Sequence, residues 1–367
     1  MGESIKACEP QFYGNELKYV EEAIRSGWIS GNGPFCKKLE QMMADYAGMK
    51  HGIAVCNGTA AIHLGLRAME IGPGDEVIMP ALAPVFCSNP ILWCGARPRL
   101  VDIDKDTWNI DINKIESHIT SSTKAIMAVH LYGMPCDMDV INDIAFSNRL
   151  FMLEDFAEAI GSEWKGRMCG SFGDVSCTSF YANKAVTTAE GGMVLTDCDA
   201  FAERARLLRN QGRTGTTHFM HPEIGYNYRL ADVLAAIGCA QMEHVAESVD
   251  ARMHNATVYE KHLEGVEGVT LPPKPVHGRN SYWMYTILVE NRDEVIRKLA
   301  EKGIETRAAF HPLHLQPCYK DMPFAKDKEF PVAEHIAAHG MNLPSGNLLT
   351  KDQIRYVCDC LKDALAI

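Results

Sequence analysis

Short apolar runs and longer amphipathic stretches alternate along the chain from His51 onward. Runs of strand length lie at 52–55, 76–79, 98–101, 125–129 and 150–153. Helical spacing fills the gaps, at about 59–70, 84–94, 112–118 and 138–147. Strand, helix, strand at such intervals predicts crossover units, hence an α/β fold with a largely parallel sheet covered on both faces. In such sheets ligands collect at the carboxyl ends of the strands. The segment 175–180 alternates as a strand does, and Gly191-Gly192 followed by 193–196 reads as a returning strand. An earlier helix is expected at 15–25. Downstream, Leu230, Val233, Leu234, Ile237 and Val245 fit one apolar face of a long helix, and a second helix runs to about Leu263.

Prolines 272, 273 and 275 mark a boundary. Beyond it, strands at 282–289 and 306–310, a helix near 292–302 and a closing helix opened by Thr350-x-x-Gln353 predict a smaller α+β domain. The expected division is a large domain over 1–250, N-terminal segment included, and a small one over 251–367 that carries the connecting helix. One stretch needs separate treatment, because 77–96 carries no charge and is long enough to cross a bilayer. Pro80, Pro84 and Pro90 break it, which leaves a buried strand, a turn and a buried helix.

A length of 367 residues favours one large and one small domain, and 47% hydrophobic with 23% charged residues is ordinary for a globular protein. The formal net charge of -11 argues against a general nucleic-acid-binding surface. Thirteen cysteines are scattered without a C-x-x-C pair, and the N-terminal residues show no signal-peptide pattern. A reduced, cytoplasmic setting is the simpler reading, with no membrane partner.

Three expected strand ends carry chemistry. Asn57-Gly58-Thr59 opens a helix after the first strand, where its N–H groups serve either as an ordinary capped turn or as an anion site. Glu154-Asp155-Phe156-Ala157-Glu158 closes the fifth; its carboxylates, costly to bury without a partner, are solvated or cap the next turn, or an aspartate fixed there, Asp155, holds a protonated ring nitrogen. Between the two late strands, Lys184 sits among Ser, Thr, Cys and Gly, with Asp174 and Glu190 the nearest charges. A partly buried lysine loses some preference for the ammonium form, and a neutral amine adds to a carbonyl. An anion cradle, a carboxylate for a cationic ring and a lysine for an aldehyde are the three handles of pyridoxal 5'-phosphate. No G-x-G-x-x-G follows any strand, which counts against a dinucleotide cofactor. Trp28-Ile29-Ser30-Gly31-Asn32-Gly33-Pro34 is a surface loop or a substrate contact. His311-Pro312-Leu313-His314 lacks an identifiable third ligand, so no metal is expected there.

With Lys184, Asp155 and Asn57-Gly58-Thr59 in hand, the chain resembles the sugar-nucleotide aminotransferases of the pyridoxal-phosphate fold type I group. The likeness runs nearly end to end, through Trp28-Ile29-Ser30, residues 124–137, 154–159, 173–184, 190–193, 225–229 and 311–314. The resemblance implies that Lys184 carries the cofactor's aldehyde and moves protons, that Asp155 pairs with the ring nitrogen, and that Glu158 lies near the ring hydroxyl. Gly58, Thr59 and Ser179 would bind the phosphate, and Asn227 would reach in from the second subunit of a homodimer. It further implies an amino donor, L-glutamate, and a nucleotide-linked 4-keto-6-deoxy sugar, GDP-4-keto-6-deoxymannose foremost, with dTDP- or UDP-linked sugars as alternatives. A binding protein without turnover is the alternative from another class. Lysine at position 184, where a dehydrating branch of the group has histidine, speaks for transamination. Two departures stand close to the cofactor. Pro84 occupies the place of a ring-stacking aromatic, so either Phe86 takes over that face or the ring is held less tightly, and Ala189 replaces a common glycine. Trp28, His311 and His314 are the candidate sugar contacts.

Overall fold

The computed structural model describes residues 4–214, 219–326 and 328–366. Its centre is a seven-stranded sheet in the order His51–Val55, Gly192–Thr196, Val175–Ser179, Phe151–Asp155, Thr123–Val129, Glu76–Pro80, Arg97–Val101. All pairings are parallel except the two made by Gly192–Thr196, which runs antiparallel to both neighbours. The expected α/β architecture is therefore present, returning strand included. Strand alternation sends Val77 and Met79 into one core with Leu64 and Leu153, and Ile78 into another with Ile126 and Met152. Because both faces are covered, these strands read as nearly continuous apolar runs.

The charge-free stretch resolves into the strand Glu76–Pro80 and the helix Val85–Trp93, which accommodates Pro90. Pro84 stands just before the first helical residue, with φ -66° and ψ 148°. Among the described residues no helix is long and apolar enough to cross a membrane.

Two helical expectations are corrected. The opening segment contains a second helix, Pro34–Ala47, beyond the turn at Gly31–Gly33. Proline suits a first helical position because its missing N–H would have no partner there. The cap comes from a remote residue: Asp232 Oδ1 accepts the N–H of Cys36 at 2.7 Å. Further on, the two expected helices are present as Asp232–Met242 and Val245–Leu263 but divide elsewhere: Leu230 precedes the first, and Val245 opens the second. The first buries Ala235, Ala236, Gly238 and Cys239, whose small side chains admit close packing on Asn15–Ser26 and Pro34–Ala47. Val233, Leu234 and Ile237 remain half-buried.

A four-stranded antiparallel sheet in the order Val269–Thr270, Tyr285–Val289, Gly340–Leu343, Arg307–Ala308 builds the C-terminal part. It packs with helices Val245–Leu263, Arg292–Glu301 and Lys351–Leu365 around Tyr259, Ile287, Leu299, Met341 and Val357. The closing helix has the expected capping box, with reciprocal bonds between Thr350 and Gln353. A small three-stranded sheet ties Gly278–Arg279 to Glu163–Trp164 and Arg167–Met168.

Candidate functional site

The carboxyl ends of the parallel strands open onto a cavity of about 750 Å³. Gly58, Thr59, Phe86, Asp155, Glu158, Ser179 and Lys184 all line it. Segments far apart in the chain are brought together because successive strands end on the same edge of the sheet.

Strand alternation separates the two carboxylates that close Phe151–Asp155. Glu154 points away from the cavity and is saturated by His130 Nε2, the N–H groups of Gly170, Phe172 and Gly173, and Ser176 Oγ. Asp155 faces the cavity. Its Oδ1 accepts the N–H of Ala157 at 3.0 Å and its Oδ2 accepts from Cys87 Sγ at 3.1 Å. Burial pushes the Asp155 carboxyl up, while the Ala157 N–H, Cys87 and Lys184 pull the other way.

Lys184 is buried, with Nζ 3.8 Å from Glu158 Oε1 and 3.6 Å from the centroid of the Trp283 ring. An ammonium over an indole face is favourable, yet burial holds its pKa below the ordinary lysine range despite Glu158 and Asp155. Burial likewise pushes Glu158 up to about 7, against the pull of Lys184 and the Tyr132 N–H, which donates to Oε2 at 2.8 Å. Burial thus lowers the pKa of the amine and raises that of the carboxyl beside it.

The helix start is a capped turn that also borders the cavity. Asn57 caps Gly58–Ala68 by accepting the N–H of Ala60 at 2.8 Å. The N–H groups of the first turn have no acceptor within the helix and meet the cavity at Gly58 and Thr59. A Cβ at Gly58 would lie 2.7 Å from Ser179 Cβ, so glycine is what lets the two strand ends close into a cradle.

Four expected residues are not brought to this cavity. Asn227 is exposed outside it. Trp28 is 55% exposed, and His311 faces the carbonyl of Leu315 at 3.2 Å. His314 is buried against Phe330 with Nε2 2.9 Å from Glu334, so the fold itself uses its imidazole. Conversely, the C-terminal part contributes Trp283, Arg307 and Phe310, and the polar turn contributes Tyr228. None of the three C-terminal residues carries a local signal; only the tertiary fold brings them beside Lys184.

Residues 10–362 match the DegT/DnrJ/EryC1/StrS aminotransferase family. This chain is a member of that family. It is 44% identical over 367 residues to GDP-perosamine synthase of Caulobacter vibrioides, with 98% of each chain covered. Against GDP-perosamine synthase of Escherichia coli O157:H7 the figure is 41% over 362 residues, again with 98% of each covered. A Streptococcus pneumoniae protein assigned as a sugar aminotransferase, solved in its PLP form, superposes with a TM-score of 0.93 at 28% identity, covering 98% of each chain. As a member of this family the protein is a pyridoxal-phosphate-dependent aminotransferase. The cavity suits that cofactor: the Gly58–Ser179 cradle leaves room where a Cβ would stand, and a buried amine and a buried carboxyl face the same space.

Proposed function

We propose that this member of the family moves an amino group from L-glutamate to the 4-keto carbon of GDP-4-keto-6-deoxymannose, giving GDP-perosamine. The observation that carries the chemistry is Lys184, buried over Trp283 with Glu158 at 3.8 Å. Identities of 44% and 41% with two GDP-perosamine synthases over nearly the whole chain support the substrate.

Pyridoxal phosphate, when bound, supplies the electron sink and carries the amino group between the two half-reactions. In this assignment Lys184 Nζ takes the α-proton of the donor and later returns a proton to the sugar carbon. Its lowered pKa leaves it a usable base, and the Trp283 ring shields it from water. Asp155 holds the ring nitrogen, and Glu158 lies toward the ring hydroxyl. Gly58, Thr59 and Ser179 bind the phosphate, and Phe86 covers the ring face that Pro84 cannot stack upon.

The proposal includes a homodimer in which Asn227 of a second copy completes the phosphate site. Support comes from Asn227 being exposed outside its own cavity and from the half-buried stripe of Val233, Leu234 and Ile237. We further take 1–250 as the cofactor-binding domain and 251–367 as the smaller one, a division supported by the separate four-stranded sheet.

Visible spectroscopy of the cofactor-loaded protein tests the reading. L-glutamate is expected to bleach the visible band, and GDP-4-keto-6-deoxymannose to restore it with formation of the 4-amino sugar nucleotide. Restoration by a UDP- or dTDP-linked keto sugar but not by the GDP sugar would overturn the substrate; a band indifferent to glutamate would overturn the donor.

A further inference from the structure

The carboxyl assigned to the ring nitrogen is held on both oxygens, and one of the two holds is a thiol. Cys87 has no exposed surface and lies behind the cavity wall, in the first turn of the helix Val85–Trp93. Its Sγ donates to Asp155 Oδ2 at 3.1 Å, while Oδ1 takes the Ala157 N–H at 3.0 Å. The turn that carries it is fixed in place: the N–H of Cys87 donates to the Pro84 carbonyl at 2.9 Å, and Ser88 Oγ lies 2.8 Å from the Tyr319 hydroxyl. Burial and the adjacent carboxylate push the Cys87 pKa well above its ordinary value, so the sulfur keeps its proton and acts as donor.

A thiol is a weak donor, and a carboxylate oxygen accepts more than one hydrogen bond. The contact therefore orients Oδ2 without consuming its capacity for a stronger, charge-assisted partner. We propose that Cys87 is a positioning residue, whose S–H holds Asp155 Oδ2 in the orientation that meets the ring nitrogen of the cofactor. This rests on the assignment of Asp155 made above. It also gives a role to the segment that departs from the family at Pro84, since that residue sets the start of the helix and hence the place of Cys87.

The readout is the pH midpoint of the visible band of the pyridoxal-phosphate-loaded protein. An Asp155 held less firmly stabilises a ring cation less, so less charge is drawn from the carbonyl end and the midpoint rises. Cys87→Ala is expected to raise it by ~0.5 pH unit or more, while Cys87→Ser, which keeps a donor of similar size, restores the wild-type midpoint. Equal displacement in both variants, or in neither, overturns the proposal. Asp155→Asn separates the two readings: if it leaves the midpoint where it was, the assignment of Asp155 fails and the proposal with it, whereas if it moves the midpoint and neither Cys87 variant does, only the role of Cys87 fails. Infrared spectroscopy needs no alanine variant. The S–H band present in the wild type and absent from Cys87→Ser is expected at the hydrogen-bonded end of the thiol range, and a free-thiol frequency would overturn the proposal.

Discussion

Glu158 and Lys184 share a buried space in which neither charge is fully solvated, and the cofactor-free protein should register this in its stability. The unfolded chain ionises Glu158 near its ordinary 4.5, whereas the native group does so near 7. Its favourable contribution is therefore complete below pH 4.5 and is lost as the pH rises through about 7. The stability difference between wild type and Glu158→Gln should fall, by on the order of 1–3 kcal/mol, from pH ~5 to pH ~8. Urea unfolding of the cofactor-free proteins at both pH values measures it, and a constant difference would count against the shift. Ala189 makes a second prediction. It is exposed with φ 69°, in the left-handed region that costs a residue with a Cβ about 1 kcal/mol. Ala189→Gly is expected to stabilise the protein by up to about that amount, read as a raised Tm, with any gain reduced by the extra freedom of glycine when unfolded. The sequence exposed the substitution, while its backbone angle belongs to the tertiary turn.

At the scale of elements, the strand-and-helix rhythm was legible because both faces of the parallel sheet are buried and crossover helices such as Met138–Asn148, which buries Met138, Ile141, Ile144 and Ala145, repeat apolar residues at helical spacing. The positions of the candidate residues were legible for the same reason: Asp155 ends a strand, and Asn57-Gly58-Thr59 and Lys184 lie just beyond one. Pro34–Ala47 was not, because its cap is Asp232 and no neighbouring side chain announces it. Nor was the buried face of Asp232–Met242, where tight packing selects alanine and glycine over the larger apolar residues. The junction of strand and helix at Gly58 yields a prediction of its own. Gly58→Ala would place a Cβ 2.7 Å from Ser179 Cβ, prise the cradle open and weaken pyridoxal phosphate binding roughly tenfold or more, a loss of about 1.4 kcal/mol. Titration of the cofactor-free variant, followed by tryptophan fluorescence, gives the Kd; unchanged affinity would remove Gly58 from the phosphate site.

For the whole molecule, the cavity depends on contributions from the C-terminal part, since Trp283, Arg307 and Phe310 complete a wall begun by the strand ends. Periodicity cannot reveal such contacts, because they are set by how the two sheets dock rather than by any local pattern. The proposed dimer has a direct consequence. Lys184→Ala and Asn227→Ala are each expected to be inactive or severely impaired. When the two are mixed, unfolded and refolded together, half of the dimers are mixed and each regains one intact site, so activity should return to about a quarter of wild type. No recovery would place Asn227 outside the partner's site.

The central claim, amino transfer through Lys184 to the GDP-linked keto sugar, is tested most directly by following the nitrogen. Wild type and Lys184→Ala, loaded with pyridoxal phosphate, are given L-glutamate with an isotopically labelled amino group and GDP-4-keto-6-deoxymannose, and the sugar nucleotide is examined by mass spectrometry. The label is expected on the 4-amino group of GDP-perosamine with the wild type and to be absent with the variant. An unlabelled sugar nucleotide with the wild type, or an equally labelled one with Lys184→Ala, would contradict it.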